Sequence, residues 1–196
     1  MFVPNKPLPV MNRRHFVVTG LLAAPAALDL RAAGLAAPPE AAPPAFVVPP
    51  AQSRAAEQIL INGNPNDVKI SGQDTAGALA VFEYTGRGKG GPSLHRHLQQ
   101  DETFYVVEGR YLFVVGEERH ELGPGATIFL PRLVPHTWTQ LTPAGKLLYW
   151  VQPAGQLEDY FRRIATGQPK GTPAERAAVA LAHGIEQLGP PLPVQP

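Results

Sequence analysis

Gly90-Gly91-Pro92-Ser93-Leu94-His95-Arg96-His97-Leu98-Gln99-Gln100-Asp101-Glu102, then, after Gly109, Gly125-Ala126-Thr127-Ile128-Phe129-Leu130-Pro131-Arg132-Leu133-Val134-Pro135-His136, is the stretch whose reading decides the fold of this chain. Side chains alternate between faces along a strand, so His95 and His97 share a face. A lone H-x-H pair says little. With Glu102, His136 and the punctuating glycines it becomes a metal-binding set. Three imidazoles and one carboxylate suit a first-row transition metal better than magnesium or calcium, which prefer all-oxygen shells. The expected ligands of one divalent ion are therefore His95, His97, Glu102 and His136.

Outward from these blocks the pattern is that of short strands. Residues 58–62, 67–71 and 78–84 alternate and are bounded by Gly, Asn and Asp. Residues 93–97, 102–107 and 111–115 follow, with Glu108-Gly109-Arg110 as a hairpin signal. Residues 119–122, 126–130, 136–142 and 146–152 complete the set. Many short strands with frequent turns predict an all-β antiparallel barrel or jelly roll, and the lack of an internal repeat predicts a single one. After Pro153 the period changes. Leu157, Tyr160, Phe161 and Ile164 stand at helical spacing, and Thr172-Pro173-Ala174-Glu175 is a capped helix start running to His183 before Gly184. Two C-terminal helices are expected on the outside of the barrel.

The two blocks together resemble the paired motifs of the cupin family, across roughly residues 58 to 152. His95-x-His97-x4-Glu102-x6-Gly109 follows the first motif, with its leading glycine one residue closer, at Gly90. Gly125, Pro131 and His136 follow the second, which is broken at Leu133, where the family has glycine, and at Gln140, where it has asparagine. Neither departure touches a ligand. The resemblance implies a cupin β-barrel with a His3Glu metal site. The helix Asp159-Tyr160-Phe161-Arg162-Arg163 straight after the last strand is similar to that of the quercetin-dioxygenase-like group. In that group the metal binds a flavonol, O2 cleaves its central ring with release of carbon monoxide, and the glutamate ligand acts as base. By that analogy Glu102 is the catalytic residue; a purely ligating Glu102 is the alternative. A possible homodimer is implied by family habit alone.

Parity from the ligands predicts the pocket. Phe104 and Val106 follow Glu102 inward, Trp138 and Gln140 follow His136, and Ser93 and Gln99 join from the histidine strand. This inner face is apolar and aromatic, lacks a cation for a small dianion, and points to a small aromatic, enolisable substrate such as a flavonol, with O2 as a possible co-substrate. An isomerase, cyclase or decarboxylase, or a non-catalytic exported binding protein, are the competing readings.

The chain has no cysteine, which excludes a disulfide framework, a thiol nucleophile and a Cys-type zinc site. Asn12-Arg13-Arg14-His15-Phe16-Val17-Val18, the apolar run to Leu28 and the small residues at 34–37 read as a twin-arginine export signal over residues 1–36, with Met11 as a second candidate start. The run is too short for a membrane span, so none is expected after cleavage. The expected location is periplasmic or secreted. Residues 37–56 form an Ala/Pro-rich linker, 57–153 the barrel, and 154–196 the helices and tail. Residues 1–36 carry four of the 17 basic and one of the 16 acidic side chains, which leaves 13 against 15, a formal charge of −2. No basic, aromatic-laced patch remains, so nucleic acid is not an expected partner. Twin-arginine systems move folded proteins, so metal insertion in the cytoplasm favours Mn, Fe or Ni over Cu or Zn.

Overall fold

The computed structural model describes residues 44–194, so the export signal read over residues 1–36 lies outside the described residues. Eleven strands and two helices follow in the order β1 Leu60–Ile61, β2 Asn64–Ile70, β3 Ala80–Gly86, β4 Ser93–His97, β5 Asp101–Glu108, β6 Tyr111–Val115, β7 Glu118–Leu122, β8 Thr127–Leu130, β9 His136–Gln140, β10 Gly145–Gln152, α1 Leu157–Ala165, α2 Pro173–Ala182 and β11 Ile185–Pro191. All strand pairs are antiparallel. They form two sheets, β1-β2-β3-β10-β5-β8 and β11-β4-β9-β6-β7, the expected all-β jelly-roll arrangement.

Strict alternation in the central strands builds the interior. Ala80, Phe82, Tyr84 and Gly86 of β3 point inward, as do Gly145, Leu147, Tyr149 and Val151 of β10. On β5 the inward row is Glu102, Phe104 and Val106. The registers Tyr149↔Phe82 and Tyr149↔Phe104 set three rings side by side. Tyr149 stacks on both neighbours, with centroids 5.0 and 4.9 Å away. Glycine is demanded where the β5–β6 hairpin closes. Gly109 has φ +85°, and a Cβ there would lie 2.7 Å from Thr142 Oγ1 and 2.8 Å from the Ala144 carbonyl.

Two features differ from the expectation. The segment after Gly184 adds a strand to the five-stranded sheet: β11 pairs with β4 through Ile185↔His97, Glu186↔Arg96 and Gln187↔His95. Its Gly-Pro-Pro ending hides it from a pattern reading, yet prolines are tolerated because β11 is an edge strand. Helix α1, expected on the outer surface, closes the pocket. Its Leu157, Tyr160, Phe161 and Ile164 line the cavity, and Phe161 packs edge-on against Phe82 at 5.3 Å. Glu158 ties the helix down by accepting from the Gly72 N–H (2.5 Å) and the Ser71 hydroxyl (3.0 Å), and Arg162 bridges Glu158 to Glu57. Helix α2 starts with the expected capping box between Thr172 and Glu175.

Candidate metal centre

His95 and His136 face each other across the β4–β9 pairing, His97 follows His95 on the same face, and Glu102 projects from β5 of the opposite sheet. One ligand atom from each of the four residues lies within 4.8 Å of all the others. The imidazole centroids of His95 and His136 are 4.6 Å apart, and a Glu102 carboxylate oxygen sits 3.6 Å from His97 Nε2 and 3.3 Å from His136 Nε2.

The hydrogen bonds behind the rings orient them. His95 Nδ1 lies 2.8 Å from the Ser93 carbonyl, His136 Nδ1 lies 3.0 Å from the Val134 carbonyl, and His97 Nδ1 lies 3.1 Å from Gln100 Oε1. A carbonyl can only accept, so His95 and His136 carry the proton on Nδ1, which leaves Nε2 with a lone pair directed inward. Gln100 is itself held by donating to the Pro153 and Ala154 carbonyls (3.2 and 2.5 Å), which leaves its oxygen for His97. A carbonyl or amide oxygen behind each ring is the outer support that metal-bound histidines ordinarily have. His136 Nε2 is buried and has no hydrogen-bond partner among the described residues; carrying a lone pair, it cannot donate to the Glu102 oxygen 3.3 Å away. An orphaned, buried lone pair facing two further imidazoles and a carboxylate is the chemistry of a metal site, and the residues present fit one divalent transition ion.

The electrostatics agree. Burial, then the neighbouring His136 and His97, press His95 down to about 3, so it is neutral and ready to ligate at any physiological pH. Burial pushes the Glu102 carboxyl up, but its contacts with His136 and His97 outweigh this and hold it well below the usual carboxylate range. For His97 burial pushes down, and Glu102 and Gln100 overcome it to raise the ring above its ordinary value. The cluster holds one carboxylate charge in a buried place, which a cation would neutralise.

Beside the cluster lies a cavity of about 500 Å³. Of the residues expected to line it, Phe104, Trp138 and Ser93 do. Val106 and Gln140 do not. Val106 is wholly buried among core side chains. Gln140 accepts from the Tyr111 hydroxyl (3.3 Å) and donates to the Thr142 carbonyl (2.9 Å), closing the barrel floor. Alternation correctly turned both inward, but a closed barrel is filled at one end, and parity does not tell depth. Gln99 is exposed because β4 ends at His97; Gln100 turns inward instead. The expectation of a lining without a cation is also corrected, since Lys89 borders the cavity, together with Asn62, Asn64 and Asn66. Asn62 lies in the turn between β1 and β2, Asn64 and Asn66 in β2, and Lys89 in the loop before β4, segments with no spacing relation to the ligands. The runs of asparagine near residue 64 could have hinted at them, though such runs read first as turns.

Residues 81–151 match the family model described as the cupin domain, a segment that contains all four converging residues. An uncharacterized protein of Methanocaldococcus jannaschii is 40% identical over 43 residues, which are 22% of this chain and 34% of the relative; the chain thus spans about a third of that relative's length. Among solved structures, KdgF from Halomonas sp. is 18% identical with a TM-score of 0.48 over 57% of this chain and 94% of that chain. The polyketide cyclase RemF from Streptomyces resistomycificus is 25% identical with a TM-score of 0.41 over 45% of this chain and 64% of that chain.

Proposed function

We propose that this chain is a metal-dependent cupin enzyme, in which His95, His97, His136 and Glu102 hold one divalent transition metal and the adjoining cavity receives a small aromatic, enolisable substrate. The observation that carries the reading is the inward convergence of three supported imidazoles and an ionised carboxylate beside an aromatic cavity of about 500 Å³. A divalent ion bound there supplies Lewis acidity toward an enolate or phenolate oxygen. The chain's own residues do the rest. Trp138, Phe104 and Tyr84 line the cavity with aromatic surface against which an aromatic ring can pack. Leu157, Phe161 and Ile164 of α1 cover the cavity and exclude water. Glu102 stays ionised and presents an oxygen that can take the substrate's hydroxyl proton, a base role conditional on its loosening from His97 and His136.

The reaction favoured is dioxygenation of a flavonol-like substrate, with Mn, Fe or Ni as the resident metal and export through the twin-arginine route. The test is oxygen consumption by the metal-loaded protein with quercetin, alongside elemental analysis. Uptake should depend on the metal and vanish in His95→Ala and His136→Ala. Glu102→Gln should lower the rate by about 10²–10⁴-fold if the carboxylate is the base. A metal-loaded protein that turns over no flavonol contradicts the dioxygenase reading. The polar border formed by Lys89 and the asparagines favours a second reading, a non-oxidative isomerase, cyclase or decarboxylase. Product formation without oxygen consumption would select it.

A further inference from the structure

Asn66 is 1% exposed, lies in β2 and borders the cavity. Its backbone N–H is used by the Ile59 carbonyl (2.9 Å), and its side-chain oxygen accepts from the Tyr149 hydroxyl at 2.7 Å. Its amide nitrogen, Nδ2, is buried with no partner among the described residues. An amide donor of this kind, taken out of water and left unpaired, is costly to the fold, and an acceptor brought into the cavity beside it would remove that cost. Tyr149 determines which way the amide faces. The phenol is fully buried and keeps its proton, because burial and then the nearby Glu102 raise it well above its ordinary value. It therefore serves as donor to the amide oxygen, and the NH2 end is turned to the other side. The ring of Tyr149 cannot swing away, being stacked between Phe82 and Phe104.

The sheet registers place this donor at a distance from the ligand cluster. Glu102 pairs with Val151, Phe104 with Tyr149 two residues along, and Asn66 with Tyr84, which in turn pairs with Leu147. The inward rows thus run from the carboxylate ligand, past the stacked rings, to Asn66 and Tyr84.

We propose that Asn66 Nδ2 is a substrate-recognition donor at the end of the cavity away from the His3Glu cluster, that it selects substrates with an oxygen acceptor on the part remote from the metal-binding oxygens, and that Tyr149 is its positioning residue. This rests on the aromatic, metal-chelating substrate class proposed above. The substrate class it names is a hydroxylated aromatic rather than a bare one, because an unsubstituted ring would leave the amide unsatisfied.

Two flavonols separate the possibilities. Quercetin and 3-hydroxyflavone share the 3-hydroxy-4-oxo chelating edge; only quercetin bears hydroxyls on the remote rings. Both are titrated without oxygen into nickel-loaded full-length protein and followed by absorbance, with metal content and melting temperature measured in parallel. Wild type should bind quercetin at least about tenfold tighter than 3-hydroxyflavone, equivalent to about 1.4 kcal/mol. Asn66→Leu removes the donor together with the acceptor for Tyr149, and Asn66→Leu combined with Tyr149→Phe does so without stranding the phenol. Each should bring the two affinities within about twofold, chiefly by weakening quercetin, with metal content unchanged. Tyr149→Phe retains the stacking and should lose part of the preference, an effect on selectivity that a purely structural role would not produce. A preference that survives in a folded, metal-loaded Asn66 variant overturns the inference, as does a wild type that binds both flavonols equally; either leaves the proposed enzyme class standing. A metal-loaded wild type that binds neither flavonol overturns the substrate class and this inference with it.

Discussion

At the scale of single residues, Leu133 shows how a departure from a family pattern is absorbed. Where the resembled family has glycine, this chain places a leucine with φ +67°. The left-handed region costs a side chain with a Cβ about 1–2 kcal/mol. The conformation is imposed by its surroundings: the Leu133 N–H donates to the His97 carbonyl at 2.8 Å, and the Val134 N–H turns back to Pro131 at 3.3 Å. The leucine side chain is 54% exposed, so little burial offsets the strain. Leu133→Gly should therefore stabilise the protein by about 1 kcal/mol in chemical denaturation, less the entropy that glycine adds to the unfolded chain, without altering metal content. A variant that is less stable than wild type would show that the leucine side chain contributes packing that its exposure conceals.

At the scale of elements, the turn between β8 and β9 assembles the site. Its Leu133 N–H holds the strand of His97, its Val134 carbonyl fixes the His136 ring, and its Arg132 grips Asp101, the neighbour of Glu102. Arg132 and Asp101 meet as a two-pronged pair, with contacts of 3.0 and 2.6 Å, and the Arg132 backbone N–H adds a third at 2.9 Å. These bonds hold the Asp101 carboxyl down to about 2, below its ordinary 3.8. A carboxylate with a depressed folded-state pKa contributes stability that is complete above its unfolded value and is lost as pH falls through its folded one. The contribution of Asp101 should be intact above about pH 5, fall progressively below that, and be gone by about pH 1. Thermal melts across that window should fall more steeply for wild type than for Asp101→Asn, and parallel curves would contradict the latch. Gly91 serves the same assembly from the loop before β4. A Cβ there would lie 1.8 Å from the Trp138 carbonyl, so only glycine lets this loop approach β9.

At the scale of the whole molecule, the two sheets are joined through the cluster. His95, His97 and His136 belong to the five-stranded sheet and Glu102 to the six-stranded one. An ion held by all four would bind only when both sheets are packed together, so its binding free energy would add to folding stability. At free metal about 1,000 times the dissociation constant this amounts to about 4 kcal/mol. For a chain of this size that is a rise in melting temperature of roughly 8–16 °C. Chelator-treated and reloaded wild type should differ by that order, whereas Glu102→Ala, which removes the only ligand from the second sheet, should show little difference. An equal shift in Glu102→Ala would mean that the ion does not bridge the sheets.

The succession of short strands was legible in the chain itself because it follows from local geometry, and the four converging residues were legible through their resemblance to the paired cupin motifs. A period of two puts His95 and His97 on one face, and a capping residue with proline and an acid marks the start of α2 whatever surrounds it. Depth in the barrel, by contrast, depends on which strands become neighbours. That is why Val106 and Gln140 point inward as expected and yet fill the floor, while Asn66, Lys89 and the apolar face of α1 border the cavity. β11 is of the same kind: its prolines argue against a strand until the fold places it at an edge beside β4. Periodicity acts over a few residues and survives in the one-dimensional text. The partners that turn a strand face into a floor, a wall or a metal cage are tens of residues away, and only packing in three dimensions brings them together.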